Sequence, residues 1–280
     1  MTVCMTIVAS MCQAQVTKLN GDAKFQFLEG PVWDGKGALY FSDMNAQKVY
    51  KYRPETGFMV IRAGQVTNGM AFDAAGMLLV CEQGSTNRVV KMDTNGVVIQ
   101  SIVNEYKNLG FNNPNDLCLD KKGGFYFTDP TWGKVIQDKQ AVYYVNSKGE
   151  ITRLNGEFQR PNGIALSPNR KLLYVDDTED KNVYVYDIKS DGSAHKKRVF
   201  CELKMPNGTK SSGADGLKVD RAGNLYITST LGVQIFNSKG IWQRNIEVPE
   251  LPSNVAFGGK NLKTLFITAR KGLYSIDLAK

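Results

Sequence analysis

Six polar residues, Glu29, Asn68, Asn115, Asn162, Asp215 and Asn254, stand in the same setting along this chain. Each is followed by an apolar alternation, as in Glu29-Gly-Pro-Val-Trp-Asp34, Asn115-Asp-Leu-Cys-Leu-Asp120 and Asp215-Gly-Leu-Lys-Val-Asp220. All six carry side-chain oxygens. Gathered in one place, the carboxylates would repel and the amides would go unpaired. A cation resolves both problems, and an all-oxygen set favours Ca²⁺, Mg²⁺ or Mn²⁺ over zinc. Residue types alone leave the question open, because Asn-Gly by itself marks a tight turn. The pairs at Asn20, Asn95, Asn155 and Asn207 are read that way. The chain holds one histidine, His195. Zinc sites with two or three His ligands are therefore excluded, and Ser-His-Asp or Cys-His catalysis would need His195 as its base. His195 lies in the polar stretch Asp191–Arg198 and is expected at the surface, so any base must be a carboxylate or an activated water.

The spacings between the six leading residues are 39, 47, 47, 53 and 39. Each copy reads as a strand, a Gly-containing turn and a second strand, with a third and often a fourth apolar run behind. Four strands per unit of roughly 40–50 residues is the size of a propeller blade. The spacing predicts an all-β fold: a six-bladed β-propeller of four-stranded antiparallel blades. A two-sheet sandwich is the main alternative, but it does not call for six copies of one phrase. The last unit shows three strands, and Val16–Leu19 is expected to add the fourth and close the ring. The leading residues should then circle the central channel at one end. Asp43, Glu82, Asp129, Asp176 and Asp177, at the ends of the second strands, are expected to converge there with them.

The chain has 280 residues, 42% of them hydrophobic, and a formal charge of +8. The positive surplus is dispersed, with local clusters only at Lys121-Lys122 and His195–Arg198. No nucleic-acid motif accompanies them, so no nucleic-acid partner is expected. No apolar run of eighteen residues exists, so the chain does not span a membrane repeatedly. Residues 1–14 are uncharged and mostly apolar. They resemble a secretory signal peptide cleaved near Ala14, although the positive n-region is missing. That reading makes 15–280 the propeller domain and places it in the periplasm or outside the cell; an uncleaved N-terminal strand would leave it cytoplasmic. Cys81 and Cys118 lie in apolar runs and are expected in the core.

At this point the motifs resemble those of a family. Glu29-Gly-Pro-Val-Trp33, Pro161-Asn-Gly-Ile-Ala-Leu-Ser167 and Asp215–Asp220 are similar to signatures of the gluconolactonase/regucalcin family of calcium-dependent phosphotriesterase-like propellers. Pro114–Leu117 with Phe125–Pro130 resembles its bacterial lactonase branch. The similarity runs from about Phe27 to Leu278. It implies a metal site in the central channel holding one divalent cation, Ca²⁺ first, with Mg²⁺, Mn²⁺ or Zn²⁺ as alternatives. Glu29, Asn162 and Asp215 carry over as core ligands, and Asn115 as a further ligand or a substrate contact. Asn113 stands where some relatives bind substrate through an Arg. Asn68 and Asn254 carry over only as holders of water or neighbours. The implied activity is metal-assisted opening of a small sugar lactone, such as gluconolactone, to the hydroxy acid, with Asp215 as general base and Asp129 or Asp177 as alternatives. The loop Asp129–Lys134 is expected to overhang the site, where Trp132 either stacks on a sugar ring or packs between blades. An arylesterase or phosphotriesterase on the same site, and a non-catalytic binding propeller, are the competing readings. The expected partner is the small-molecule lactone, and the expected state a monomer or weak dimer.

Overall fold

The structure, a computed structural model, describes residues 15–279. The signal-peptide reading of residues 1–14 lies outside them. Six four-stranded antiparallel sheets follow one another around a ring. Their inner strands are Leu28–Trp33, Thr67–Phe72, Leu117–Leu119, Pro161–Leu166, Leu217–Val219 and Asn254–Gly258. The matching second strands are Leu39–Asp43, Leu78–Glu82, Phe125–Asp129, Leu172–Asp177, Leu225–Ser229 and Thr264–Ala269. Among the described residues the only helical element is a 3₁₀ turn at Lys260–Leu262. The two-residue strand Thr17–Lys18 pairs with Gly272–Asp277 and completes the sixth blade, Thr17 facing Ser275. Ring closure by the N-terminal segment is thus as the strand count predicts.

Both faces of each blade are covered, so the second strands are buried along their whole length in blades one, two, three and five. Alternate residues serve opposite neighbours, as strand geometry requires. Leu39 and Phe41 pack with Ala256, Phe266 and Leu273 of blade six, whereas Tyr40 packs with Met70 and Val80 of blade two. Each of the six blade junctions has an apolar cluster of this kind. Burying such side chains contributes about 1.5–3 kcal/mol apiece, and no single blade could bury both faces alone. Cys81 and Cys201 sit inside two of these clusters, and Cys118 packs against a third.

His195 departs from its expected place. It lies in the outer strand Ala194–Glu202 opposite Asp187 and is half-buried, with its Nδ1 unpartnered. Arg198 and Val199 take the exposed positions that the polar composition suggested for His195. The outer strand is far along its blade from the channel, so the single histidine has no part in the site.

Candidate active site at one mouth of the channel

The inner strands begin irregularly, and the irregularity aims the leading residues. Register shifts follow Glu29, Thr67 and Pro161; those of blades two and four span the leading residue and its glycine, and that of blade one begins directly after Glu29. Bulges of this kind turn a side chain away from the ladder. The glycines are required by close approach. A Cβ on Gly163 would lie 2.5 Å from the Asp215 carbonyl oxygen and 2.6 Å from Asp176 Oδ2. A Cβ on Gly216 would lie 2.0 Å from the amide carbon of Asn254. Each leading residue is thereby pressed against the next one around the ring.

Glu29, Asn68, Asn115, Asn162 and Asn254 are each 2–4% exposed, and Asp215 is half-buried. The structure brings the side chains of Glu29, Asn162, Asp215 and Asn254 together. Asn254 Nδ2 donates to Glu29 Oε2 at 3.4 Å, across the junction that closes the ring. The Asp215 carboxyl lies close enough to Glu29 and Asn162 for each to influence its protonation. Burial, then the charge of Asp215, holds the Glu29 carboxyl well above the usual carboxylate range. Burial, then the charge of Asp176, raises Asp215. Two carboxyl groups so placed share a proton or a cation.

Several oxygens at this mouth await a partner. Asn68 Oδ1, Asn162 Oδ1 and Asp176 Oδ2 are buried without a hydrogen bond. Native interiors rarely leave such atoms unsatisfied. Among the described residues no three His, Cys, Asp or Glu side chains stand together as a metal cluster. Any ion here would have to be held by a mixture of carboxylate and amide oxygens. The donor set of Glu29, Asn162 and Asp215 fits a hard divalent cation.

One expectation is corrected. Asp43, Glu82, Asp129 and Asp177 do not join the ring. Asp43 accepts the backbone N–H groups of Gln26 and Phe27, both at 2.9 Å. Asp129 accepts those of Asn112 at 3.0 Å and Asn113 at 2.8 Å. Asp177 accepts those of Gln159 at 2.7 Å and Arg160 at 2.9 Å. These three tie down the segment entering their own blade's inner strand. Glu82 instead pairs with Arg62 and Arg88, both at 2.7 Å. Burial pushes Asp129 up to about 7, but its oxygens are committed to the backbone and it is no candidate base.

Asp176 does face the channel, because it neighbours Asp177 and must point the other way. The corresponding residue of blades one and three is a hydroxyl that latches the next blade. Ser42 Oγ donates to the Asn68 carbonyl at 2.8 Å, and Thr128 Oγ1 to the Asn162 carbonyl at 2.7 Å. Asp176 Oδ1 instead accepts the Gly163 N–H at 2.8 Å. Asp116 and Lys218 also enter the channel, and the pattern of leading residues does not reveal them. Lys218 Nζ lies 2.8 Å from Asp116 Oδ2.

The remaining expected residues rim the mouth. Asn113 is half-buried, and its Nδ2 donates to Asn87 Oδ1 at 3.3 Å. Trp132 is 55% exposed, which excludes packing between blades. The Arg160 guanidinium sits 5.3 Å from its ring centre. The loop carrying Trp132 is braced, since Asn112 Oδ1 accepts the N–H groups of Ile136 at 2.8 Å and Gln137 at 3.0 Å. The opposite end of the channel is lined by apolar side chains such as Val32, Met70, Ile164 and Val219.

Comparison with known proteins agrees with this geometry. The chain is 32% identical over 273 residues to a gluconolactonase of Zymomonas mobilis, covering 87% of this chain and 76% of that protein. It is 25% identical over 281 residues to the diisopropyl-fluorophosphatase of Loligo vulgaris, covering 86% and 84%. The solved structure of a gluconolactonase of Xanthomonas campestris superposes with a TM-score of 0.84 at 28% identity, over 94% of this chain and 89% of that one. Residues 27–271 match the family described as the SMP-30/Gluconolactonase/LRE-like region, and the chain belongs to that family.

Proposed function

We propose that this chain is a hydrolase that opens a small sugar lactone with the help of one divalent cation, Ca²⁺ first among the candidates. The observation that carries the reading is the mouth itself. Glu29, Asn162 and Asp215 meet there with unpartnered buried oxygens around them, in a chain 32% identical to a gluconolactonase. Glu29, Asn162 and Asp215 are the proposed ligands, with Asn115 as a fourth. A cation held there supplies Lewis-acid polarisation of the lactone carbonyl.

The chain's own residues do the rest. Asp215 takes a proton from water as the water oxygen bonds to the carbonyl carbon. The ring C–O bond then breaks, and the proton passes to the departing ring oxygen, which leaves a hydroxy acid. A carboxylate beside a cation becomes a weaker base, while burial and the charge of Asp176 make Asp215 a stronger one. These opposed effects keep it usable near neutral pH. Asn113 and Asn115 offer amide donors to the sugar hydroxyls, and the exposed face of Trp132 offers a surface on which the ring can stack.

The diisopropyl-fluorophosphatase relative favours the second reading, an esterase or phosphotriesterase on the same residues. A panel of sugar lactones, aryl esters and phosphotriesters, assayed with Ca²⁺ and with chelator, separates the two. Lactones should turn over fastest, and chelator should abolish the activity. Asp215→Asn should lower kcat about 10²-fold or more, the usual contribution of a positioned base. Aryl esters or phosphotriesters outpacing every lactone would overturn the first reading.

A further inference from the structure

Just behind the proposed ligands lies a second group of charged side chains. Asp116, on the approach to the inner strand of blade three, is 1% exposed. Lys218, on the inner strand of blade five, reaches it across the channel, and its Nζ donates to Asp116 Oδ2 at 2.8 Å. Asn254 Nδ2 donates to the same oxygen at 3.3 Å and to Glu29 Oε2 at 3.4 Å. Asp176 is fully buried nearby and lies within range of both Asp116 and Lys218. The two acids are built alike. Asp116 Oδ1 is fixed by the Leu117 N–H at 2.9 Å, and Asp176 Oδ1 by the Gly163 N–H at 2.8 Å. Each thus has one oxygen anchored to backbone and one free for a cation. For Asp116 that cation is Lys218; Asp176 Oδ2 has no hydrogen-bond partner.

Glu29, Asp116, Asp176, Asp215 and Lys218 together carry a formal charge of −3. One divalent ion leaves −1. Without the ammonium the remainder would be −2, the charge that a second divalent ion neutralises. We infer that Lys218 is the channel's resident cation: it holds Asp116 in the place where a second divalent ion would otherwise bind, and so restricts the channel to one ion. This rests on the one-ion reading proposed above. An ammonium suits the role because it is a compact point charge on a flexible stem. Removing one partner of a buried ion pair leaves the other uncompensated. Without the ammonium, Asp116 Oδ2 would keep only the long contact from Asn254, and Asp176 Oδ2 has no partner, so two carboxylate oxygens of the type Ca²⁺ takes would be left in the channel.

The test counts ions in the full chain. Wild type, Lys218→Met and the double variant Asp116→Asn/Lys218→Met are dialysed against millimolar Ca²⁺, and bound calcium is measured by mass spectrometry and calorimetry. Thermal melts are recorded in chelator and in Ca²⁺. Wild type should hold one ion, Lys218→Met two, and the double variant one again. The melting temperature of Lys218→Met should depend more strongly on Ca²⁺ than that of wild type. One ion in Lys218→Met, with a stability loss that Ca²⁺ does not recover, would overturn the inference and leave a simple broken ion pair. If Lys218→Met does not fold, the double variant decides: a folded, one-ion protein supports the inference, and an equally defective one overturns it. No ion bound to wild type would instead sink the one-ion reading itself.

Discussion

Glu29 and Asp215 lie side by side, and both carboxyls are held above the usual range, Glu29 by burial and the charge of Asp215, Asp215 by burial and the charge of Asp176. The consequence for the metal-free protein can be signed. The folded state keeps protons on these groups at a pH where the unfolded chain has already lost them. Where the folded state binds more protons, stability falls as pH rises. The chelated protein should therefore lose stability from about pH 4, where unfolded carboxyl groups titrate, up to about pH 7, where Asp215 titrates in the folded chain. Cation affinity should move the opposite way and rise over that range, because binding must expel the protons. Calcium titrations in two buffers of different ionisation enthalpy read the released protons directly. Finding no proton release near pH 6 would contradict the arrangement. Glu29, Asn162 and Asp215 were legible because each opens its copy of one repeated phrase. Asp116 and Lys218 sit inside two of those phrases, yet their pairing was not legible. They are 102 residues apart, and they meet only because the ring sets the inner strands of blades three and five within reach across the channel. No local period encodes that relation. The one available signal was polarity itself, an Asp and a Lys in inner-strand phrases that are otherwise apolar.

At the scale of the strand, the acidic residues that end the second strands divide by direction. Side chains alternate across a sheet, so Asp176 and Asp177 cannot both face the channel. The sequence shows acids in phase in four blades, but phase alone does not say which face a residue takes. The backbone demand decides it. The segment entering each inner strand leaves the ladder early, its N–H groups need acceptors, and Asp43, Asp129 and Asp177 supply them. Asp43 serves three donors, Gln26, Phe27 and Ala46. Asp43→Ala should therefore cost about 1–3 kcal/mol, the usual penalty for buried groups left unsatisfied. In a protein of this size that is roughly 2–4 °C of Tm per kcal/mol. Ion stoichiometry should stay unchanged, since Asp43 points away from the ring. Asp43→Asn, which keeps an acceptor, should fall between the two. Thermal melts paired with calcium counting check this; lost ion binding at an unchanged Tm would reassign Asp43 to the site.

For the whole molecule, the ring is only as sound as its closing junction. Blade six takes its outer strand from the start of the described chain, Thr17–Lys18, and the clasp is reinforced beyond that pairing. Leu19 N–H donates to the Leu273 carbonyl at 2.7 Å. The Asn20 side chain bridges back, donating to the Lys271 carbonyl at 2.7 Å and accepting the Leu273 N–H at 2.8 Å. Ser253 Oγ donates to the Leu28 carbonyl at 2.6 Å, stitching blade six to blade one. Closure was legible because it is a matter of counting: three strands in the last unit and one spare apolar segment before the first. The net charge of +8 gave no such guidance, since the channel mouth is acidic. The junction also bears on the chemistry, because Asn254 of blade six holds Glu29 of blade one. A chain starting at residue 21 should thus differ from one starting at residue 15 in two linked ways. It should melt several degrees lower, because a sheet edge and its apolar neighbours open to water. It should also bind Ca²⁺ more weakly, because the Glu29–Asn254 contact loses its support. Lys18→Ala should reproduce neither effect, since the pair of Lys18 with Glu250 is exposed and such pairs contribute little. Melts and calcium titrations of these three chains make the comparison. If the shorter chain melts lower but binds Ca²⁺ as tightly as the longer one, then the closing strand stabilises the ring without shaping its mouth, and the coupling through Asn254 fails.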